Sequence, residues 1–235
     1  MNNDKEKTKE EKIATFRKIL ILVAFFSMLY FYALSHAMTE VKKTAYWSEK
    51  WPPVLNQPYP DLELIDQDGE TFKLSYLKGK VIIIEPIGMN CPSCQAYSGA
   101  HNYGAFENNS VEAHSRSFQK IFPLYAKGLK LPSKDIIFVQ LLLYDMRMGK
   151  PTAEDAHKWA QHFKLYRKHN HFVTVSPHDM RSNESYNMIP GFQLIDRNFI
   201  LRIDSTGHHP KHGLYKHLIP MTPEFVKQIP VELDR

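Results

Sequence analysis

The sequence predicts an α/β domain that follows one apolar N-terminal helix. Two runs of apolar residues, at 81–84 (VIII) and 136–143 (IIFVQLLL), are typical of central strands buried on both faces of a sheet. Segments with helical spacing or helix caps lie between and after these runs, and a hairpin follows near the C-terminus. An order of strand, helix, strand and helix, followed by a hairpin and a helix, is typical of α/β proteins.

The remaining elements are predicted from turn and cap residues. A short hairpin is expected around the turn at 66–69, because alternating residues flank Asp-Gln-Asp-Gly. Thr152 is a typical N-cap, and Pro223 suits the first turn of a helix that Thr222 would cap. The predicted helices lie at 110–127, 152–163 and 223–229, and the other predicted strands at 172–175, 191–196 and 199–204.

The composition excludes several classes of protein. In a chain of 235 residues, a hydrophobic share of 43% excludes a disordered protein. The 10 glycines and 15 prolines exclude a collagenous chain, and 2 cysteines are too few for a disulfide scaffold or a four-cysteine zinc site. A net charge of +5 would suit a nucleic-acid binder or an envelope protein. Because no basic stripe with interleaved aromatic residues is present, we expect no nucleic-acid partner.

Residues 19–38 form the predicted membrane segment. They contain no charge, and a helix of that length spans about 30 Å, the thickness of the hydrocarbon core of a bilayer. Lys and Arg number six before the segment and three in the twenty residues after it, which places the N-terminus in the cytoplasm. We expect a cytoplasmic segment at 1–18, a transmembrane helix or signal anchor at 19–38, a linker at 39–58 and a globular domain at 59–235.

The expected location is the bacterial inner membrane, crossed once, with the globular domain in the periplasm. The main alternative is a signal peptide cleaved after Ala37, because Ser35-His36-Ala37 offers small residues at the positions that a signal peptidase requires. A buried core helix is the other alternative. Both the anchor and the signal peptide export the domain, and export makes a disulfide chemically permissible.

Both cysteines of the chain lie in one C-x-x-C motif, Cys91-Pro92-Ser93-Cys94, soon after the first buried run. This context is typical of a redox-active pair. Unpaired N–H groups and the helix dipole stabilise a thiolate at a helix N-terminus, and a cysteine one turn later can close a disulfide with it. We expect Cys91 to be the exposed nucleophile and Cys94 the buried resolving thiol. The alternatives are an inert structural disulfide and half of a metal site.

Four features of the sequence resemble thioredoxin-like proteins of the membrane-anchored TlpA/ResA/DsbE-like branch, which is related to the AhpC/TSA proteins. They are the lead-in at 68–81, the C-x-x-C motif, the segment at 188–196 (MIPGFQLID) and the N-terminal apolar segment. The resemblance spans about residues 59–229 and implies a thioredoxin-like fold, a central mixed sheet flanked by helices. It also implies a thiol–disulfide oxidoreductase that acts on the thiols and disulfides of exported proteins without a cofactor.

The resemblance further assigns a role to Ile189 and Pro190. It implies that the Ile189–Pro190 bond is a cis peptide, packed against the redox pair where it binds substrate. A cis X–Pro bond is a rare and specific feature. The alternative is an ordinary trans proline at the start of a strand.

Glu85 lies six residues before Cys91, at the end of the first buried run. In thioredoxin a buried acid occupies that spacing and helps to deprotonate the second cysteine. Burial would raise the pKa of Glu85, so that the carboxyl group could exchange a proton with Cys94 near neutral pH. The alternative is a strand-end glutamate that points into solvent.

The sequence also departs from the pattern of that branch. Asn90 stands where the branch has an aromatic residue, and about forty residues separate Cys94 from the strand at 136–143. The polar residues at 101–104 and 108–109 indicate an inserted loop. An interaction protein without redox activity is therefore a further alternative.

Copper delivery is the alternative from a different functional class. Copper chaperones of the SCO family share the thioredoxin fold but use C-x-x-x-C and a histidine. Here Met188 stands where that histidine would fall, so a copper site would use Cys91 and Cys94 with Met188 or a histidine. The four histidines at 207–217 are expected to lie in a solvated loop. A peroxidase is not expected, because neither Met89 nor Asn90 supplies the hydroxyl of a T-x-x-C motif.

Overall fold

The computed structural model describes residues 16–33 and 51–230, which belong to two compact units. The first unit contains helix α1, Phe16–Ala33, whose side chains are all exposed and which is long and apolar enough to cross a membrane. Helix α1 begins three residues before the predicted segment. Residues 1–15, 34–50 and 231–235, and the parts of the predictions that fall on them, lie outside the described residues.

The second unit is built on one seven-stranded mixed sheet in the order β2-β1-β5-β4-β3-β6-β7. Strand β3 pairs in parallel with β4, and β4 with β5. On its other side β3 pairs antiparallel with β6, and β6 pairs antiparallel with β7. The strands are β1 Glu63–Asp66, β2 Thr71–Lys73, β3 Val81–Gly88, β4 Ile136–Tyr144, β5 His171–Val175, β6 Gly191–Ile195 and β7 Leu201–Thr206. The predicted strands and their pairing around β3 are confirmed, except that the strand predicted at 199–204 begins two residues later, because Phe199 lies in the turn, where its N–H donates to the Asp196 carbonyl.

Strand β3 lies at the centre because it is apolar on both faces. All eight of its residues and all nine of β4 are buried. Ile84 lies opposite Val139 of β4 and opposite Gln193 of β6. A strand with neighbours on both sides satisfies its backbone polar groups through the sheet, and beyond Ile84 the C-terminal end of β3 continues its pairing with β4.

Six α-helices belong to the second unit within the described residues: α2 Pro92–Ser98, α3 Ala100–Tyr103, α4 Phe118–Tyr125, α5 Ala153–Phe163, α6 Asn183–Asn187 and α7 Ile219–Lys227. The start of α5 is as predicted. The Thr152 hydroxyl accepts a hydrogen bond from the Asp155 N–H at 3.2 Å, and the Asp155 carboxylate accepts one from the Thr152 N–H at 2.7 Å. This reciprocal pair is a capping box.

Two predicted helix boundaries are wrong. The helix predicted at 110–127 is only Phe118–Tyr125, because the residues before it are mostly polar and turn back over α2, where the Glu112 N–H donates to the Pro92 carbonyl at 3.1 Å. The last helix begins at Ile219, so Thr222 lies inside it and donates its hydroxyl to the Leu218 carbonyl at 2.8 Å. It is Pro220 that occupies the first turn, where a missing N–H costs nothing.

An aromatic cluster fastens α4 to the sheet. The Phe118 ring of α4 stacks on Phe138 of β4 and on Phe192 of β6, with ring centroids 4.8 and 4.5 Å apart. All three side chains are buried. Such large buried rings contribute strongly to core stability, so this cluster fixes the layer in which α2 and α4 lie.

Residues assigned to the end of the linker cover the outer edge of β7. The Asn56 N–H donates to the Leu201 carbonyl at 2.7 Å, and the Leu201 N–H donates to the Gln57 carbonyl at 3.1 Å. Pro58 forms a bridge with Ile200. An otherwise open strand edge is thereby paired, which removes a site for unwanted pairing with another chain.

Candidate active site

The C-x-x-C motif sits on a tight turn between β3 and α2. The Met89 N–H donates to the Tyr144 carbonyl at 2.9 Å, and the Cys91 N–H donates to the Gly88 carbonyl at 2.9 Å. The buried Gln95 side chain donates to the Met89 carbonyl at 2.7 Å and accepts from the backbone N–H of Phe106 at 2.8 Å. The turn is therefore held from the sheet and from the helix.

The two cysteines occupy different environments. Cys91 is the N-cap of α2 and is half-buried, whereas Cys94 is buried, and both are free thiols. The sulfur of Cys91 accepts a hydrogen bond from the backbone N–H of Cys94 at 3.3 Å. Pro92 fills the first turn of the helix, where its lack of an N–H removes no bond.

These environments move the two thiol pKa values in opposite directions. The pKa of Cys91 is lowered from 9.0 to about 7, chiefly by a hydrogen bond from the Cys94 side chain and, against the effect of burial, also by backbone N–H groups. Burial, followed by the hydrogen bond to Cys91, raises the pKa of Cys94 well above its ordinary value. In the reduced pair, the negative charge therefore resides on Cys91 and the proton on Cys94.

Glu85 is fully buried in β3 and faces a neutral amide. Gln140 of β4 lies opposite Glu85 in the strand register and donates to Oε2 of the carboxyl at 2.8 Å. Burial raises the pKa of Glu85 well above its ordinary value, the bond from Gln140 opposes this, and the charge of Cys91 adds to it. Within the described part of the chain, Oε1 of Glu85 has no hydrogen-bond partner.

The loop before β6 reaches the redox pair. The Ile189–Pro190 peptide is cis, as the resemblance implied. Gly88 shows how close this loop comes, since a Cβ atom at position 88 would lie 3.6 Å from Cδ1 of Ile189 and 3.8 Å from Cβ of Cys91. Ile189 and Cys91 therefore both lie next to Gly88, so the turn and the proline loop meet at the C-terminal end of β3.

The residues that could bind copper are not gathered into one site as the redox residues are. Met188 is buried at the end of α6. Among residues 16–33 and 51–230, no group of three or more His, Cys, Asp or Glu side chains could hold a metal ion. In the histidine-rich loop, Nδ1 of His212 accepts from the Asp204 N–H at 3.3 Å and Nδ1 of His217 accepts from the Gly213 N–H at 3.0 Å. His212 and His217 therefore bond to the backbone of their own segment. His217 lies in a π-helical turn, Leu214–Leu218, so the prediction that all four histidines lie in a loop is wrong for this residue.

Sequence reasoning missed Gln140, Ser98 and Gln95 as members of the site. Gln140 is the single polar residue in the run IIFVQLLL, and a lone polar residue in a buried strand is a signal that could have identified it. Ser98 and Gln95 stand out only once the helix is placed.

The sheet order and the position of the site define a thioredoxin-like fold. Two adjacent parallel strands have the C-x-x-C turn at the end of the first, the antiparallel hairpin β6–β7 lies on the other side, and α7 follows β7. The expectation of a thioredoxin-like fold preceded by an apolar helix is therefore confirmed, while the TlpA/ResA/DsbE-like branch stays a prediction.

Comparisons with known proteins give structural neighbours at low sequence identity. No family model matches the chain, and no curated protein matches it. The thioredoxin domain of a thiol–disulfide oxidoreductase from Bacteroides vulgatus is 16% identical, with a TM-score of 0.45 over 74% of this chain and 99% of that chain. A candidate protein disulfide isomerase from Bacteroides thetaiotaomicron is 15% identical, with a TM-score of 0.47 over 75% and 92%. BsSco, a Sco-family cytochrome c oxidase assembly protein, is 15% identical, with a TM-score of 0.45 over 75% and 95%.

Proposed function

We propose that this chain is a thiol–disulfide oxidoreductase that exchanges disulfides with exported proteins. The observation that supports this most is the asymmetry of the two thiols, with a half-buried Cys91 of lowered pKa at the start of α2 and a buried Cys94 of raised pKa one turn later. An inert structural cysteine has no need of a stabilised thiolate, whereas exchange depends on one.

In the proposed reaction, the Cys91 thiolate attacks one sulfur of a substrate disulfide. The substrate S–S bond breaks, its other sulfur leaves as a thiolate, and a mixed disulfide to Cys91 remains. Cys94 then passes its proton to the Glu85 carboxylate and attacks the sulfur of Cys91. The Cys91–Cys94 bond forms, the second substrate sulfur leaves as a thiolate, and the substrate has gained two electrons from the chain.

Ile189 and Pro190 would form the substrate-binding edge of this reaction. Ile189 and Cys91 both lie next to Gly88, and the carbonyl of Pro190 accepts a hydrogen bond from the Gly207 N–H at 2.8 Å, which fixes the loop. An extended substrate segment laid along this loop would bring its disulfide to the half-buried sulfur of Cys91. The same steps run in reverse when the chain holds the disulfide and the substrate is a dithiol.

The proposal places the chain in a bacterial inner membrane through α1, with the second unit in the periplasm. The length and hydropathy of α1 support this, together with the six Lys and Arg residues that precede residue 19, against three in residues 39–58. In that compartment a disulfide persists, and exported proteins with exposed cysteines are the available partners.

The test is to trap the mixed disulfide in the full-length chain. In Cys94→Ser the resolving step is lost, so Cys91 should accumulate mixed disulfides with exported proteins, visible as bands on non-reducing gels that disappear with reductant. Cys91→Ser should trap few or none, and the double variant serves as the matched blank. Equal trapping by both single variants, or trapping by neither, would contradict the proposed exchange.

A second measurement distinguishes disulfide exchange from copper delivery through Cys91, Cys94 and Met188. The full-length reduced chain is titrated with Cu(I) against a colorimetric chelator, beside Cys91→Ser and Met188→Leu. A chaperone would hold one copper tightly and lose it in both variants, and this result without any trapping in Cys94→Ser would favour the copper alternative.

A further inference from the structure

The side chain of Gln140 joins three elements around the buried carboxyl group. Its Nε2 donates to Oε2 of Glu85 at 2.8 Å and to Oγ of Ser98 at 2.8 Å. Its Oε1 accepts from Nε1 of Trp159 at 3.2 Å. All four side chains have at most 5% of their surface exposed, so no solvent competes for these bonds.

These bonds leave the amide one orientation. An indole N–H can only donate, so the Gln140 atom that meets Trp159 must be the oxygen. Both amide hydrogens of Gln140 are then committed to Glu85 and Ser98. Rotating the amide by half a turn would place the NH₂ group against the Trp159 N–H, two donors with no acceptor between them.

The fixed amide also fixes which carboxyl oxygen can hold a proton. Oε2 of Glu85 receives the amide hydrogen and must act as an acceptor there, whereas Oε1 has no hydrogen-bond partner among the described residues. Ser98 follows Cys94 by four residues in α2, so the two side chains lie on one face of the helix, and both are buried. Gln140 therefore holds the carboxyl against the helix face on which Cys94 lies.

We propose that Gln140 is a positioning residue, which orients Glu85 so that Oε1 alone exchanges a proton with Cys94. This inference rests on the proposed function and concerns only the second step of exchange. In that step the Cys94 S–H proton moves to Oε1, the Cys94 thiolate bonds to the sulfur of Cys91, and the substrate sulfur leaves with the electron pair of the broken bond. Oε1 returns the proton to solvent after the substrate has left.

The other groups near Glu85 also affect how readily its carboxyl group takes up a proton. The ionisable residues whose charges act on Glu85, or on which Glu85 acts, are Cys91, Cys94 and Tyr97, all at the start of α2 or within it. Strand β4 contributes neutral Gln140, α5 contributes Trp159, and β6 contains no ionisable residue. None of these residues is a cation. The hydrogen bond from Gln140 is therefore the interaction that stabilises the carboxylate form of Glu85.

The experiment follows the two steps separately in the full-length chain in detergent. An aromatic disulfide that releases a coloured nitrothiophenolate gives one equivalent when Cys91 attacks and a second when Cys94 resolves the mixed disulfide. In Gln140→Met, which keeps the volume and removes the amide, the first phase should be unchanged. The second phase should be about tenfold slower at pH 7, with its pH midpoint about one unit higher, because the carboxylate has lost its donor.

Two comparisons distinguish positioning from a general loss of packing. Gln193→Met removes a buried amide of the neighbouring strand, which bonds to Tyr59 at 2.8 Å, and should leave both phases unchanged. In a Glu85→Gln background, Gln140→Met should slow the second phase no further. If Gln140→Met does not fold, Trp159→Phe, which frees the amide oxygen, should shift the second phase in the same direction by a smaller amount.

A second phase in Gln140→Met or Trp159→Phe with the parent's rate and pH midpoint would overturn the inference while leaving the proposed function intact. So would equal slowing by Gln193→Met. A parent chain that never releases the second equivalent would overturn the proposed function and this inference with it.

Discussion

Cys91 and Cys94 are three residues apart, yet only Cys91 meets the N–H groups at the start of α2. The pKa of Cys91 lies at about 7, and that of Cys94 is raised by burial. We therefore expect iodoacetamide to label Cys91 with a rate that rises with pH to a midpoint near 7 and then levels off, because only the thiolate reacts. Cys94 should stay unlabelled over the same range.

Mass spectrometry of the labelled, digested chain gives both rates in one sample. Cys94→Ala is the control for Cys91, because it removes the side-chain hydrogen bond that contributes most to the lowered pKa, and its midpoint should move upward. Equal rates for the two thiols, with midpoints near the ordinary value of 9.0, would mean that the pair is not activated.

Whether a site residue could be predicted from the sequence depends on how far along the chain its partners lie. Cys91, Cys94 and Glu85 could be predicted because the motif, the strand and the acid lie within ten residues of one another. Gln140 meets Glu85 across 55 residues of sequence. That pairing is set by the register of β3 on β4, and no local pattern specifies a register between two apolar strands.

Among the elements, the hairpin β6–β7 depends on a close approach at its open end. Gly191 has φ of 158°, and a Cβ atom there would lie 2.3 Å from Cα of Thr206 and 2.5 Å from the Ser205 carbonyl oxygen. Backbone atoms cannot move aside as a flexible side chain can. We expect Gly191→Ala to lower the free energy of unfolding by at least about 2 kcal/mol.

Urea unfolding of the full-length chain, followed by tryptophan fluorescence, measures this loss. Gly213→Ala is the matched control, because its nearest neighbours would lie 3.6 Å or more from the new Cβ atom, and it should change stability by less than about 0.5 kcal/mol. Similar losses in the two variants would show that the contact with β7 is not what limits position 191.

Strands were predicted more accurately than helices for a physical reason. Short runs of four to eight mostly apolar residues that are rich in β-branched side chains favour buried strands, and both 81–84 and 136–143 have this pattern. Helix ends depend on tertiary contacts. The segment before α4 gives up its helical bonds to meet α2, and the burial of Leu218 and Ile219 extends α7 towards the N-terminus.

For the whole molecule, the proposed anchor makes a prediction about fractionation. We expect the full-length chain to remain in the membrane after an alkaline carbonate wash and to keep the mass of the uncleaved chain, because α1 has 18 residues and a mean hydropathy of 1.6, with its two charged residues, Arg17 and Lys18, at its N-terminal end. A membrane-impermeant maleimide added to spheroplasts should label Cys91, since the second unit would face outward.

Ala37→Phe provides the comparison for cleavage. A phenylalanine at the position that a signal peptidase reads would block cleavage and should leave an anchored chain unchanged in mass and location. A shorter, soluble parent chain that becomes membrane-bound in this variant would establish a signal peptide instead.

The position of Cys91 at the start of α2 has a consequence for the life of a newly made chain. The Cys94 side chain and the backbone N–H groups that stabilise its thiolate come together only when α2 has formed. Before folding, a thiol with the ordinary pKa of 9.0 is about 1% ionised at pH 7, whereas about half of Cys91 is ionised once its pKa reaches about 7. The unfolded chain should therefore react slowly with disulfides during export. Cys91 becomes a reactive thiolate only after the domain has folded, when the site can position a substrate disulfide.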